Sequence, residues 1–135
     1  EAAAIAAVQT FYKHWNEKNL DECAKLIAAD AIDHMGDQQV VGFDSIMVAV
    51  RRFSNAFPDS RFDIEKITAT GNLVMAYGTW SGTQTGDLGP YKATGKKYSM
   101  KDMDMFTVNA EGKLTEHWAV QEGCAMAAQL GWASN

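Results

Sequence analysis

Apolar residues recur every three or four positions at Ile5, Val8, Phe11, Tyr12 and Trp15, while Gln9, Lys13 and Glu17 fall on the opposite side. That period predicts an amphipathic helix ending near Asn16. Asn19, followed three residues on by Glu22, has the form of a capping box, and Leu20, Cys23, Leu26 and Ile27 give a second, shorter helical stripe. An irregular stretch holding Asp33, His34, Gly36 and Gly42 then leads to a third stripe at Ile46, Ala49, Val50, Phe53 and Phe57, stopped by Pro58. Residues 1 to 60 are therefore expected to be helical.

The pattern then changes. Arg61 to Thr70, Leu73 to Thr83, Lys97 to Val108 and Leu114 to Glu122 are rich in β-branched and aromatic residues and are parted by Gly-containing turns. Thr70-Gly71-Asn72 and Asn109-Ala110-Glu111-Gly112 have hairpin-turn chemistry, so these strands are expected to be antiparallel neighbours. The Thr83 to Lys97 segment, with Gly86, Gly89, Pro90 and Gly95, is expected to be a mobile connection and a candidate lid. A last helix runs from about Cys124 to Leu130 and ends at Gly131. Helices first and strands second predict an α+β fold, a curved antiparallel sheet wrapped as a cone around the N-terminal helices, with an apolar pocket at its wide end.

The chain has 135 residues, 47% hydrophobic and 21% charged, which suits one packed domain over residues 1–135 and not a disordered chain. A formal charge of −5 offers no basic field to a polyanion, which sets aside nucleic acid and anionic membrane as partners. Cys23 and Cys124 are far apart and outside any metal-site spacing, and are expected to be buried small hydrophobes. The longest apolar stretch, Ala24 to Ala31, is broken by Lys25 and Asp30 and falls short of the roughly 18 residues of a spanning helix. The cytoplasm is the expected location, although an opening Glu1 in place of Met is compatible with a removed leader. No phosphate-loop spacing, His ligand spacing or nucleophile elbow occurs, so neither a cofactor nor a metal is expected.

A set of ordered pieces spans the chain: Phe11-Tyr12 with Trp15-Asn16, Asp33-His34, Ala56-Phe57-Pro58-Asp59, Gly82-Thr83-Gln84-Thr85-Gly86, Thr94-Gly95-Lys96, Glu111-Gly112-Lys113-Leu114-Thr115-Glu116-His117-Trp118, and Gln129-Leu130-Gly131. Together they resemble the SnoaL-like polyketide cyclases of the nuclear transport factor 2-like superfamily. The resemblance implies an α+β cone and cofactor-independent aldol-type ring closure by a carboxylate acid/base. It also implies that the family's catalytic Asp, four residues after the Trp of the His-Trp motif, is replaced here by Glu122. The superfamily includes ketosteroid isomerase, limonene epoxide hydrolase and scytalone dehydratase, so the fold alone does not fix a reaction.

Glu122, at the end of the strand carrying Glu116, Trp118 and Val120, shares a face with Trp118 by alternation, and that face is expected to line the pocket. A carboxyl beside an indole in a dry cavity is raised toward neutrality, where acid/base transfer is efficient. The plainer role is a solvated Glu capping the next helix. Asp102 and Asp104 fall on one face with Tyr98, Met100, Phe106 and Val108, where an unpaired carboxylate is costly; an outward face, or a salt bridge to Lys101 or Arg61, is the alternative, and a bulge would exchange the faces. Asp104 resembles the strand carboxylate of limonene epoxide hydrolase, but Asp102 stands where that enzyme has its Arg, which counts against epoxide opening.

His34 matches a family His near the pocket and would orient a substrate oxygen or couple with Glu122. His117 alternates to the opposite side and is expected to be structural. Tyr12, Trp15, Trp80 and Trp118 would shape the cavity, with ordinary core packing the other role for Tyr12 and Trp15. The expected function is thus acid/base chemistry by Glu122, Asp104 and His34 on a small hydrophobic, oxygenated molecule, either cyclisation or isomerisation, with Asp102 helping to bind. The alternatives are a ligand-binding module of the same fold, or a hydrolase or dehydratase. The outer sheet face, bearing Met103 and Met105, is expected to pair two copies as a homodimer.

Overall fold

The computed structural model describes residues 1–132. Helix α1 (Ala2–Asn16) buries Ala4, Ala7, Val8, Phe11, Tyr12 and Trp15, the stripe its spacing implied. Helix α2 (Leu20–Ala24) is one short turn, started by the Asn19 side chain accepting from the Glu22 backbone N–H. Here the structure departs from the sequence pattern. Leu26 and Ile27 do not prolong α2, and Ile27 opens a strand, β1 (Ile27–Met35), which a turn joins to β2 (Gln38–Val41). The sequence pattern predicts helix at Ile27 and an irregular stretch from Asp33 to Gly42. Three alanines give β1 little intrinsic strand preference, and its ladders to two neighbours override that preference.

Helix α3 (Phe43–Ala56) follows, and then β3 (Arg61–Thr70), β4 (Leu73–Thr83), β5 (Lys97–Val108), β6 (Leu114–Gln121) and α4 (Gly123–Leu130), closed by a left-handed Gly131. The six strands make one sheet in the order β2-β1-β6-β5-β4-β3. It is not wholly antiparallel as expected, because β1 runs parallel to β6 and sets Asp33 beside His117. Parallel neighbours need a long crossover, and the intervening helix and hairpins supply it.

Alternation along β5 buries Tyr98, Met100, Asp102, Asp104, Phe106 and Val108 on the concave face, against α1 and α3. The sheet bends at a bulge in β3 between Ile64 and Lys66. Opposite it, a Cβ on Gly78 would lie 2.2 Å from the Asp63 carbonyl oxygen, so only glycine admits the close approach. Gly78→Ala is expected to cost about 1–3 kcal/mol by overpacking, measured by urea unfolding; a loss below about 0.5 kcal/mol would refute that constraint.

The segment after β4 is not a lid. The Gln84 backbone pairs with Lys96 and Gly95, its side chain bonds the Tyr91 carbonyl and the Trp132 indole, and the segment contributes no residue to the cavity described below. Cys23 is buried as expected, whereas Cys124 is exposed in the first turn of α4. Among the described residues, no helix is long and apolar enough to cross a membrane.

Candidate functional site

Between α1, α3 and the concave face lies a cavity of about 290 Å³. Its walls are mostly apolar, from Phe11, Trp15, Ile46, Phe53, Trp80 and Phe106 among others. Its polar groups come from α1 (Tyr12), β1 (Asp33, His34) and β6 (Glu116, His117, Gln121).

Three of these side chains, Tyr12, Asp33 and His117, are joined through the buried Asp104 of β5 into a chain of hydrogen bonds across four elements. The Tyr12 hydroxyl donates to Asp104 Oδ2 at 2.6 Å. His117 Nε2 lies 2.8 Å from Asp104 Oδ1, and His117 Nδ1 lies 2.8 Å from Asp33 Oδ1. Asp104 is only 1% exposed, so its charge depends on these two partners. Burial opposes charge on His117, but the hydrogen bonds and charges of Asp104 and Asp33 outweigh it and lift the imidazole to about 10. The ring is therefore an imidazolium at neutral pH, donating through both nitrogens. Burial, with the adjacent Asp104 charge, pushes the Tyr12 phenol well above its ordinary value and keeps it a donor. Asp33 bonds His117 through Oδ1 and is one of the residues lining the cavity. A carboxylate held by a fixed cation in an apolar cavity can accept and return a proton without reorganisation of the site.

Several expectations are corrected. Glu122 does not line the cavity: it is exposed, stands at the N-cap position of α4 without a side-chain cap bond, and accepts the Lys101 backbone N–H at 2.7 Å. Trp118 is also absent from the lining and stacks on the His34 ring, centroids 5.0 Å apart and 5° between planes. The face of β6 is reversed by a bulge at Thr115, because Val108 faces Leu114 while Thr107 faces Glu116. His117, Ala119 and Gln121 thus point inward, and Trp118 points out beside Met105. His34 lies on β1 rather than after a helix, borders the cavity, and pairs with Glu116 Oε2 at 2.6 Å; it has no contact with Glu122. Tyr12, Trp15 and Trp80 line the cavity, Asp104 stands behind His117, and Asp102 lies buried beside Gln121.

Asp33, His117 and Gln121 are the site residues that sequence alone did not assign. One signal pointed to His117: two acids on a buried strand face need a cation, and His117 is the group on the next strand able to supply it. Among the described residues, no three His, Cys, Asp or Glu side chains are grouped to hold a metal ion.

A curved open sheet around N-terminal helices, with a cavity between them, defines the nuclear transport factor 2-like class of α+β proteins. Within that class the chain belongs to the SnoaL-like polyketide cyclase family, whose model matches residues 5–130. It is similar in structure to a proposed SnoaL-like polyketide cyclase from Jannaschia sp. CCS1, with a TM-score of 0.89 at 16% identity over 100% of this chain and 95% of that one. IdmH of Streptomyces antibioticus, a proposed polyketide cyclase, gives 0.79 at 26% identity over 95% and 98%. AclR of Streptomyces galilaeus, a proposed hydroxylase, gives 0.86 at 22% identity over 98% of each chain. No functionally curated protein matches the chain.

Proposed function

We propose that this protein catalyses proton transfer at carbon on a small hydrophobic, oxygenated molecule, as in aldol-type ring closure or isomerisation, with Asp33 as the acid/base. The observation that carries the proposal is the Asp33–His117–Asp104–Tyr12 chain, which fixes the Asp33 carboxyl group in the wall of a mostly apolar cavity. Asp33 takes a proton from the carbon next to a carbonyl, and the C–H electron pair becomes an enolate. In ring closure that carbon bonds to a second carbonyl carbon, whose oxygen takes up the proton; in isomerisation the proton returns to a different carbon. His117 and Asp104 act through Asp33 as positioning residues, and Tyr12 anchors Asp104. Trp15 and Trp80 give the cavity its shape, His34 borders it, and cofactor-independent chemistry is retained from the family resemblance.

A direct test needs no knowledge of the natural substrate. Exchange of the α-protons of 1-tetralone with deuterated solvent, followed by NMR, reports enolisation. Asp33→Asn is expected to lower the enzymatic exchange rate by about 10²–10⁴-fold, whereas Glu122→Gln leaves it within a factor of about two. Equal rates for Asp33→Asn and wild type would remove Asp33 from the chemistry. Wild type that binds 1-tetralone without exchanging it would support a ligand-binding module.

We also propose a homodimer through the convex sheet face, where Met75, Met103 and Val120 are exposed and Met105 and Trp118 adjoin them.

A further inference from the structure

In the proposed reaction both N–H groups of His117 and the Tyr12 hydroxyl are already spent on carboxylates, so none of them is available to a ligand oxygen. Gln121 can supply that contact. It lies on the same inward face of β6 as His117, lines the cavity, and is exposed where the cavity opens. The two are four positions apart, about 13 Å along the strand. A group held by Gln121 thus lies farther from a carbon held near Asp33 than the length of a fused bicycle.

Gln121 has a partner below it. Its Nε2 points to Asp102 Oδ2 at 3.4 Å, a long bond, while Asp102 Oδ1 is buried and meets no hydrogen-bond partner among the described residues. Asp102 itself is 1% exposed. The groups facing it are Asp104 and Tyr98 on β5, His117 and Gln121 on β6, Trp80 on β4 and Tyr12 on α1. His117 is already paired to two carboxylates, so Asp102 has no cation of its own. Burial first, and then repulsion by Asp104, raise its carboxyl to about 7, with Gln121, Trp80 and His117 opposing.

We propose that Gln121 is a specificity-determining residue that reads an oxygen substituent at the end of the ligand remote from Asp33, and that the protonation state of Asp102 sets which end of the Gln121 amide faces the ligand. This deepens the proposed function and rests on it for the identity of the ligand, but the Asp102–Gln121 coupling stands without it. When Asp102 is protonated, its hydroxyl donates to Gln121 Oε1 and the amide NH₂ turns to the cavity, where it favours a ligand carbonyl. When Asp102 is ionised it accepts from Nε2, Oε1 turns to the cavity, and a ligand hydroxyl is favoured. A rise in pH thus switches the preference from ketone to phenol without moving the backbone.

Two probes of similar shape separate these states: 1-tetralone, which only accepts, and 5,6,7,8-tetrahydro-1-naphthol, which also donates and stays neutral to about pH 9, as a phenol does. Each has one oxygen, so a pose that reports on Gln121 leaves Asp33 unengaged, and both are measured in Asp33→Asn to remove the competing enolising pose. Between pH 6 and 8 the tetralone-to-naphthol affinity ratio is expected to fall by about tenfold, the scale of exchanging one satisfied hydrogen bond for an unsatisfied one. In Asp102→Asn the ratio is expected to be constant, and in Gln121→Met it is expected to be constant and to favour neither probe by more than about twofold. A pH-dependent ratio that survives in Asp102→Asn would overturn the proposal. A second readout needs no ligand: the Gln121 side-chain amide resonances, assigned through Gln121→Met, are expected to titrate with a midpoint near 7 in wild type and to stay fixed in Asp102→Asn. Resonances that do not move between pH 5.5 and 8.5 in wild type would refute the coupling, whether or not the probes bind. If Gln121 titrates while Asp33→Asn exchanges protons normally, the proposed reaction fails and the switch stands.

Discussion

Replacing His117 with leucine is expected to destabilise the protein by about 3–5 kcal/mol at pH 7, the cost of leaving a buried carboxylate without its cation. Asp104 is almost wholly buried and would keep only the Tyr12 hydroxyl, while Asp33 would lose its one fixed donor. The wild-type contribution has a definite pH window. The imidazole lies near 10 in the folded state, above its ordinary value of 6.5, so folding takes up a proton. The stability gained is fully present below about pH 6.5 and is lost as pH rises through about 10. Urea unfolding of wild type and His117→Leu at pH 6 and pH 10 measures both effects. A difference at pH 6 under about 1 kcal/mol would show that Asp104 does not depend on the imidazolium.

Asp102→Asn is expected to act in the other direction and to stabilise the fold by about 2–4 kcal/mol at pH 8.5. The wild-type carboxyl is raised to about 7 from 3.8, so it also takes up a proton on folding. Its contribution is fully present below about pH 4 and is lost as pH rises through about 7, beyond which a buried, cation-free charge remains in the core. Asparagine has a similar shape and carries no charge. The two proteins should therefore unfold at similar denaturant concentrations at pH 4 and part progressively above pH 5. Superimposable curves at pH 8.5 would mean that water or a neighbouring group satisfies Asp102. A residue kept at such a cost to stability at neutral pH fits a role in the site rather than in the scaffold.

Much of the fold was legible because its signals are local. The bounds of β3, β4 and β5 follow from β-branched and aromatic runs ending at Gly-containing turns, and α1 and α3 follow from their apolar stripes. Strand β1 was not legible, since Ala28, Ala29 and Ala31 carry no strand preference and only pairing to β2 and β6 makes them extended. The site was legible in half. Alternation placed Asp102 and Asp104 on one face, and the buried positions agree. Alternation failed on β6, where one additional residue at Thr115 exchanges His117 for Trp118 and Gln121 for Glu122. A bulge leaves no mark in a strand's composition, yet it decides which of two adjacent residues meets the ligand.

The parallel ladder between β1 and β6 has a kinetic side. Asp33 and His117 are 84 residues apart in sequence, and β1 has to wait for the rest of the sheet before β6 can dock beside it. Closing so long a loop carries an entropic penalty that no local contact offsets in advance. The Asp104–His117 contact, by contrast, joins the neighbouring strands β5 and β6 across only 13 residues. The link from His117 to Asp33 is thus made only when β1 docks against β6, and the longest-range pairing of the sheet is also the one that completes the site.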